Sequence, residues 1–392
     1  MRATETWIED ELSSLKAGGL ERTLSLYQNT GVDIQSGERV LFNFSSNDYL
    51  GLARNPLVIA AMVDAIRRYG AGATASRLVT GSLVCHEELE MQLAILKGYP
   101  SALVFGNGYA ANVGMISALV GRDDHIFIDR LAHASLVDAA VLSRAKVHRF
   151  HHNDSEDFRR LINSCASGGK RLMLTESVFS MDGDVAPIAA LTTVAAEAGA
   201  MVLVDEAHAT GVFGPSGAGV IRQAGVEPQV NCSMGTLSKA LGGYGGFVAC
   251  SGEMRRWLIH KARSFIYSTA LPPAMVGAAN GAMQWLRDNP GAGGQLLARA
   301  ALFRSRLRKL GLDTGFSKSQ IIPVMVGDNE RAVRLHRRLV EQGILAVAIR
   351  PPTVPHGTAR LRLSVSLEHS PEVLNHVAGI IAGAARLEGV IS

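Results

Sequence analysis

Short apolar runs recur along most of the chain, and the stretches between them carry apolar positions three and four residues apart. Runs at 102–105, 125–128, 146–150, 171–174, 201–204, 230–233 and 247–250 predict buried strands, and 56–69, 109–120 and 188–198 predict helices. Strands separated by helices need crossover connections, so the pattern predicts an α/β protein with a mostly parallel sheet covered on both faces. Residues 1–20 predict a surface helix with Trp7, Ile8, Leu12 and Leu15 on one side, followed by a short strand at 40–44. Beyond Trp285 the composition shifts at Asn289-Pro-Gly-Ala-Gly-Gly294, which predicts a hinge. A helix at 296–310, a strand at 321–326, a helix at 330–342, strands at 345–349 and 360–366 and a final helix then predict a smaller α+β unit. The expected division is an arm with a short strand at 1–50, a large domain at 51–288 and a small domain at 289–392.

Composition narrows the class. Of 392 residues, 47% are hydrophobic and 19% charged, enough to bury a large core. Lys plus Arg number 39 against 35 for Asp plus Glu, and this net +4 is spread along the chain, so nucleic acid is not the expected partner. No leader-type apolar segment or membrane-length run occurs, so neither export nor a membrane is expected. Cys85, Cys165, Cys232 and Cys250 form no CxxC pair and no CxxC…HxxxH arrangement; no metal is expected, and the thiols are read as reduced and cytoplasmic.

Open parallel sheets bind ligands at the carboxyl ends of their strands. Several predicted ends are polar here: Asp205-Glu206-Ala207-His208 after 202–204, Thr175-Glu176-Ser177 and then Ser180 after 171–174, and Thr236-Leu237-Ser238-Lys239 after 230–233. A lone Asp or Ser there is ordinarily a cap or turn residue. Lys239 differs, because it sits among Ser238, Ala240, Gly242 and Gly243, and a desolvated lysine is the residue type that forms Schiff bases. The segment from Phe105 to Gly114 follows a strand and opens a helix, whose amides suit a phosphate. Its spacing is GxGxxxxxG rather than GxGxxG, which counts against a dinucleotide site, and Gly169-Lys170 does not complete a Walker motif. His133 lies between a strand and a helix at the same mouth, whereas His125, His151 and His152 are read as surface or capping histidines. A phosphate seat, an acid, an imidazole and a lysine together describe a pyridoxal phosphate site.

Ser45-Ser-Asn-Asp-Tyr-Leu-Gly-Leu52, His133-Ala-Ser-Leu136, Asp205-Glu-Ala-His208, Thr236-Leu-Ser-Lys239 and Gly357-Thr-Ala-Arg-Leu-Arg362 resemble the α-oxoamine synthases, fold-type I pyridoxal phosphate transferases, in collinear order over about residues 20–385. The resemblance implies a seven-stranded sheet in the large domain and pyridoxal 5'-phosphate as cofactor. It makes Lys239, His133, Asp205 and His208 catalytic: Lys239 carries the cofactor, Asp205 pairs with the ring nitrogen, His133 stacks on the ring, and His208 and Ser180 bond near its O3′. Gly108, Tyr109 and Thr236 would hold the phosphate, and Ser268 and Thr269 would reach the phosphate of a second subunit in a homodimer. Arg362 would take the amino acid carboxylate, because a guanidinium fork grips a carboxylate with two bonds; Asn47 and Thr353 would be further substrate contacts.

Within the family, Arg350-Pro-Pro-Thr-Val-Pro355 together with the Gly357–Arg362 segment most resembles the branch that condenses L-alanine with a pimeloyl thioester, which implies a donor carried on coenzyme A or an acyl carrier protein. One departure stands in the arm: several relatives carry Leu-Arg-Arg where this chain has Leu20-Glu21-Arg22, so by the resemblance Arg22 keeps the acyl-substrate role in one register, and in the other Glu21 stands there and repels the acyl carboxylate. The competing readings are family members that join glycine to acetyl-CoA or succinyl-CoA, a nicotinamide dehydrogenase built on the Gly106 segment, which gives Lys239 no role, and a non-catalytic relative that acts as a binding partner.

Overall fold

The computed structural model describes residues 5–165 and 168–392. Its strands are β1 (Asp33–Ser36), β2 (Arg39–Asn43), β3 (Ser101–Phe105), β4 (His125–Asp129), β5 (Lys146–Phe150), β6 (Arg171–Glu176), β7 (Met201–Asp205), β8 (Cys232–Thr236), β9 (Gly246–Cys250), β10 (Ile321–Gly327), β11 (Ile344–Leu345), β12 (Val347–Ile349) and β13 (Ala359–Ser364). Two compact units result. The larger comprises Asn47–Ser180 and Asp184–Ala298; the smaller comprises the residues up to Ser46, Met181–Gly183 and Arg299–Ser392.

The larger unit is built on a seven-stranded sheet in the order β3-β9-β8-β7-β6-β4-β5. Strands β8, β7, β6, β4 and β5 run parallel, and β9 is antiparallel to both β8 and β3. Strand β4 is buried at every position, as a run with both faces covered must be. Alternation along the strands sorts the core: Ile126, Ile128, Leu172, Leu174, Leu203 and Met234 join one cluster with Ala111, Met115, Ile116, Leu136 and Ala140 from the helices Gly108–Leu119 and Ala134–Ser143. On the opposite face Phe127 and Phe150 meet Phe158 of the helix Ser155–Ser164, with ring centroids 5.8 and 5.3 Å apart. That helix starts where Asp154 accepts the amides of Glu156 and Asp157.

The smaller unit holds two three-stranded sheets, β1-β2-β11 and β10-β13-β12. The strand expected at 345–349 is divided between them: Leu345 pairs with Asn43 of β2, and Val347 pairs with Arg362 of β13. The Ser45 hydroxyl occupies the break, donating to the Leu345 carbonyl (3.2 Å) and accepting the Val347 amide (3.1 Å). The arm helix is Thr6–Ala17, shorter than the expected 1–20; residues 1–4 lie outside the described residues. Its apolar side is uncovered, with Trp7 64% exposed.

The expected hinge at 289–294 differs as well. The helix Ala292–Lys309 already begins inside it, and the compact units divide only after Ala298. Gly293 explains this, because a Cβ there would lie 2.2 Å from the Val212 carbonyl oxygen, so its glycine permits helix-to-loop contact rather than flexibility. No described helix is long and apolar enough to cross a membrane.

His152, expected as a surface or capping histidine, instead bridges two carboxylates: Nδ1 lies 3.0 Å from Asp129 and Nε2 lies 2.8 Å from Asp184. Burial lowers its pKa, but bonds to Asp129 and Asp184 and their charges prevail and raise it to about 10. A His whose folded pKa is raised stabilises the fold fully below its unfolded value and loses that contribution as pH rises through the folded one. The thermal midpoint is therefore expected to decline between pH 6.5 and about 10, and His152→Gln to flatten that slope; an unchanged slope in the variant would refute the assignment.

Candidate active site

Asp129, Glu176, Asp205 and Thr236 are the last residues of β4, β6, β7 and β8, so parallel pairing brings their side chains to one edge. Glu176 and Asp205 are direct register partners. Asp205 is almost fully buried and held from two sides: Oδ1 accepts the Ala207 amide (2.8 Å) and Oδ2 accepts from Asn112 Nδ2 (2.9 Å). Burial, then the neighbouring Asp205 charge, raises the Glu176 pKa well above its ordinary value, against the pull of Lys239 and the His133 amide.

His133 caps the helix Ala134–Ser143 and donates its own amide to Glu176 (2.7 Å). Its Nδ1 accepts the Ser135 amide (3.2 Å), which places the ring proton on Nε2. Ser135 Oγ accepts from Asn112 Nδ2 (2.9 Å) and donates to the same Nδ1 (2.8 Å). The carboxamide of Asn112 thus spends one hydrogen on Asp205 and the other on the His133 network. Burial lowers the His133 pKa, with Asp205 opposing and Lys239 reinforcing, so the imidazole is neutral near pH 7.

Lys239 sits on a tight turn after β8. Thr236 Oγ1 donates to the Gly245 carbonyl (2.9 Å) and accepts the Ser238 amide (3.1 Å), and Ser238 Oγ accepts the Gly245 amide (3.1 Å). At Gly242, φ is +63° and a Cβ would stand 2.3 Å from the Ala53 nitrogen, so only glycine fits. The Lys239 ammonium nitrogen lies 2.9 Å from His208 Nε2. Tyr49 lies 2.7 Å from His208 Nδ1 and donates its one hydroxyl hydrogen to Asn47 Oδ1 (3.0 Å). His208 therefore donates from Nδ1 to Tyr49 and accepts from Lys239 at Nε2.

The Asp205–His208 turn is anchored behind by Glu206, fully buried with Lys97 at 2.5 Å. Lys97 also donates to the Ala218 carbonyl (2.7 Å) and Thr210 Oγ1 (3.2 Å), and Glu206 accepts the Ile221 amide (3.0 Å) and Ser233 Oγ (3.2 Å).

The structure gathers Asn47, His133, Asp205, His208, Thr236 and Lys239 into this hydrogen-bonded and electrostatic set. Gly108 and Tyr109 open the helix Gly108–Leu119, where Asn107 caps the amide of Ala110 and leaves theirs for an anion. The Tyr109 hydroxyl turns away to Asp138 (2.9 Å). Ser180 is half-buried in the larger unit, Ser268 and Thr269 are exposed, and Thr269 bridges Ser76. Arg22, Thr353 and Arg362 belong to the smaller unit; Arg22 and Thr353 are exposed, and Arg362 is buried in β13 and donates to Ser364 Oγ (3.0 Å). Asn112 and Lys97 are what sequence reading did not single out; Tyr49, Glu176 and Glu206 stood only inside quoted motifs, with no role given to them. The signals were a carboxamide inside the apolar helix 108–119 and a lysine ending an apolar helix face.

The aminotransferase class I and II family model matches residues 39–381. The chain belongs to that family. Within it, the chain is 45% identical over 390 residues to an 8-amino-7-oxononanoate synthase of Geobacter sulfurreducens, covering 98% of this chain and 99% of the relative. It is also 45% identical to one from Anaeromyxobacter dehalogenans, covering 98% and 96%. Among solved structures of the family's fold, serine palmitoyltransferase from S. paucimobilis with bound PLP-myriocin aldimine superposes with a TM-score of 0.93 at 32% identity, covering 99% of each chain. An 8-amino-7-oxononanoate synthase from Francisella tularensis superposes with a TM-score of 0.77 at 27% identity, covering 89% of this chain and 99% of that one.

Removing one member of a buried ion pair costs about 3–5 kcal/mol, so Lys97→Met is expected to lower unfolding stability by that amount in urea titration. A change within error would show that Glu206 is not held by this pair. Asn112→Ala withdraws a donor from a buried carboxylate; a loss of about 1–3 kcal/mol is expected, with a shifted pH profile of catalysis that a merely structural role would not produce.

Proposed function

We propose that this protein is a pyridoxal phosphate-dependent 8-amino-7-oxononanoate synthase. It joins L-alanine to a pimeloyl thioester and releases carbon dioxide and the free thiol, a step in making biotin. The observation that carries the reading is the Lys239 amine held on His208 Nε2 at the mouth of a sheet edge ending in Asp205, in a chain 45% identical over nearly its whole length to synthases of that name. The donor set fits the cofactor: a primary amine, a buried carboxylate fixed by two donors, a neutral imidazole and the first amides of a helix. Lys239, Asp205, His133, His208, Ser180, Thr236, Gly108 and Tyr109 would hold it. When bound, the cofactor supplies an electron sink for the carbanion formed at the amino acid Cα.

The chain's own groups do the rest. Asp205 would pair with the cofactor's ring nitrogen, and Asn112 prevents that carboxylate from turning. Neutral His133 offers an uncharged face for stacking. Lys239 can give a proton to His208 at Nε2 and so act as a neutral base at Cα, then return the proton once carbon dioxide has left. The working unit is a homodimer in the cytoplasm, in which exposed Ser268 and Thr269 serve the second copy's phosphate; the four free cysteines suit a reducing compartment.

A second reading, acyl transfer to serine, is favoured by the serine palmitoyltransferase superposition. One experiment separates them. The cofactor-loaded protein is incubated with L-alanine and pimeloyl-CoA, with glycine and acetyl-CoA, with glycine and succinyl-CoA, and with L-serine and palmitoyl-CoA, and products are read by mass spectrometry. 8-Amino-7-oxononanoate from the alanine reaction is expected, with Lys239→Ala slower by at least about 10²-fold and borohydride fixing the cofactor on Lys239. Product from a glycine or serine reaction instead overturns the substrate assignment, and failure of borohydride to label Lys239 overturns the chemistry.

A further inference from the structure

Away from Lys239, at the start of β4 rather than its end, three side chains converge among the described residues: His125, His148 and Cys165, with ligand atoms within 4.8 Å of one another. The fold brings them together from separate places. His125 opens β4, His148 lies on β5 in register with Phe127, and Cys165 follows the helix Ser155–Ser164 that crosses this face. The two imidazoles stack with centroids 5.2 Å apart, and Phe127 lies 4.9 Å from His148. His125, expected as a surface or capping histidine, is buried, while His148 and Cys165 are half-buried.

The spacing is that of a metal-ligand set. A tetrahedral zinc ion with bonds of about 2.0–2.1 Å to nitrogen and about 2.3 Å to sulfur has nitrogen–sulfur edges of about 3.5 Å and nitrogen–nitrogen edges of about 3.3 Å. Cys165 Sγ lies 3.5 Å from His148 Nε2, and His125 Nδ1 lies 3.0 Å from that same Nε2. The first edge already has the zinc length, the second needs to open by roughly 0.3 Å, and the third, from Cys165 to His125, lies within 4.8 Å and closes toward about 3.5 Å on the metal. Thiolate and imidazole together select zinc-class ions over magnesium or calcium. Lys146 stands opposite His125 in register but is exposed to solvent.

We propose that His125, His148 and Cys165 form a binding site for a zinc-class divalent cation, with water in the fourth position. On binding, the Cys165 thiol proton passes to solvent, the proton shared between the two imidazoles moves to the other nitrogen of its own ring, and their hydrogen bond gives way to two metal–nitrogen bonds.

The test uses the full-length cofactor-loaded protein, reduced and stripped of metal by chelation, titrated with Co(II) and then Zn(II). One Co(II) per chain, with thiolate charge-transfer and tetrahedral visible bands that Zn(II) displaces, is expected; Cys165→Ser and His148→Gln are each expected to lose those bands while keeping native circular dichroism. In the unmutated protein Zn(II) is expected to protect Cys165 from alkylation, read by peptide mass mapping, so the proposal stays testable if a variant misfolds. Absence of stoichiometric binding, bands that persist in both variants, or unprotected Cys165 at saturating Zn(II) overturns it.

Discussion

The ion pair of Lys97 and Glu206 constrains everything at the mouth of the large sheet. Both charges are out of solvent, a costly arrangement unless every donor and acceptor is met. Here Lys97 finds a carboxylate, a hydroxyl and a carbonyl, and Glu206 finds an ammonium, an amide and a serine. Glu206 lies between Asp205 and the turn that ends in His208, so holding its side chain from behind presents its neighbours forward. The pair is less a source of stability than a device for fixing one turn in one place.

From that anchor the remaining geometry follows from parallel pairing. Register aligns Glu176 with Asp205, and Asp205 with Met234 two residues before Thr236. Two like acids at adjacent strand ends are tolerated because the pKa of one is pushed up by burial and the other is surrounded by donors. Asn112 meets the acid and the His133 network with a single group, which couples the charge under the site to the ring at its face.

Much of this was legible in the sequence, and the reasons for the exceptions are physical. The inner strands of the large sheet announced themselves because burial on both faces leaves near-continuous apolar runs, and Lys239, Asp205 and His208 stood out because they follow such runs. The strand at 345–349 was not readable as two pieces, since the hydroxyl that divides it comes from Ser45, some three hundred residues away. Asn289–Gly294 looked like a hinge because glycine serves close packing as readily as flexibility. His125, His148 and Cys165 escaped notice because local spacing rules find only ligands close in sequence, and these lie 23 and 17 residues apart.

The hydrogen bonds that run from Lys239 through His208 and Tyr49 to Asn47 all point the same way. Each donor faces an acceptor, and the run ties the turn after β8 to the segment Asn47–Tyr49 at the start of the larger unit. The run therefore fixes the tautomer of His208: with its proton on Nε2 the ring would set donor against donor at Lys239 and acceptor against acceptor at Tyr49.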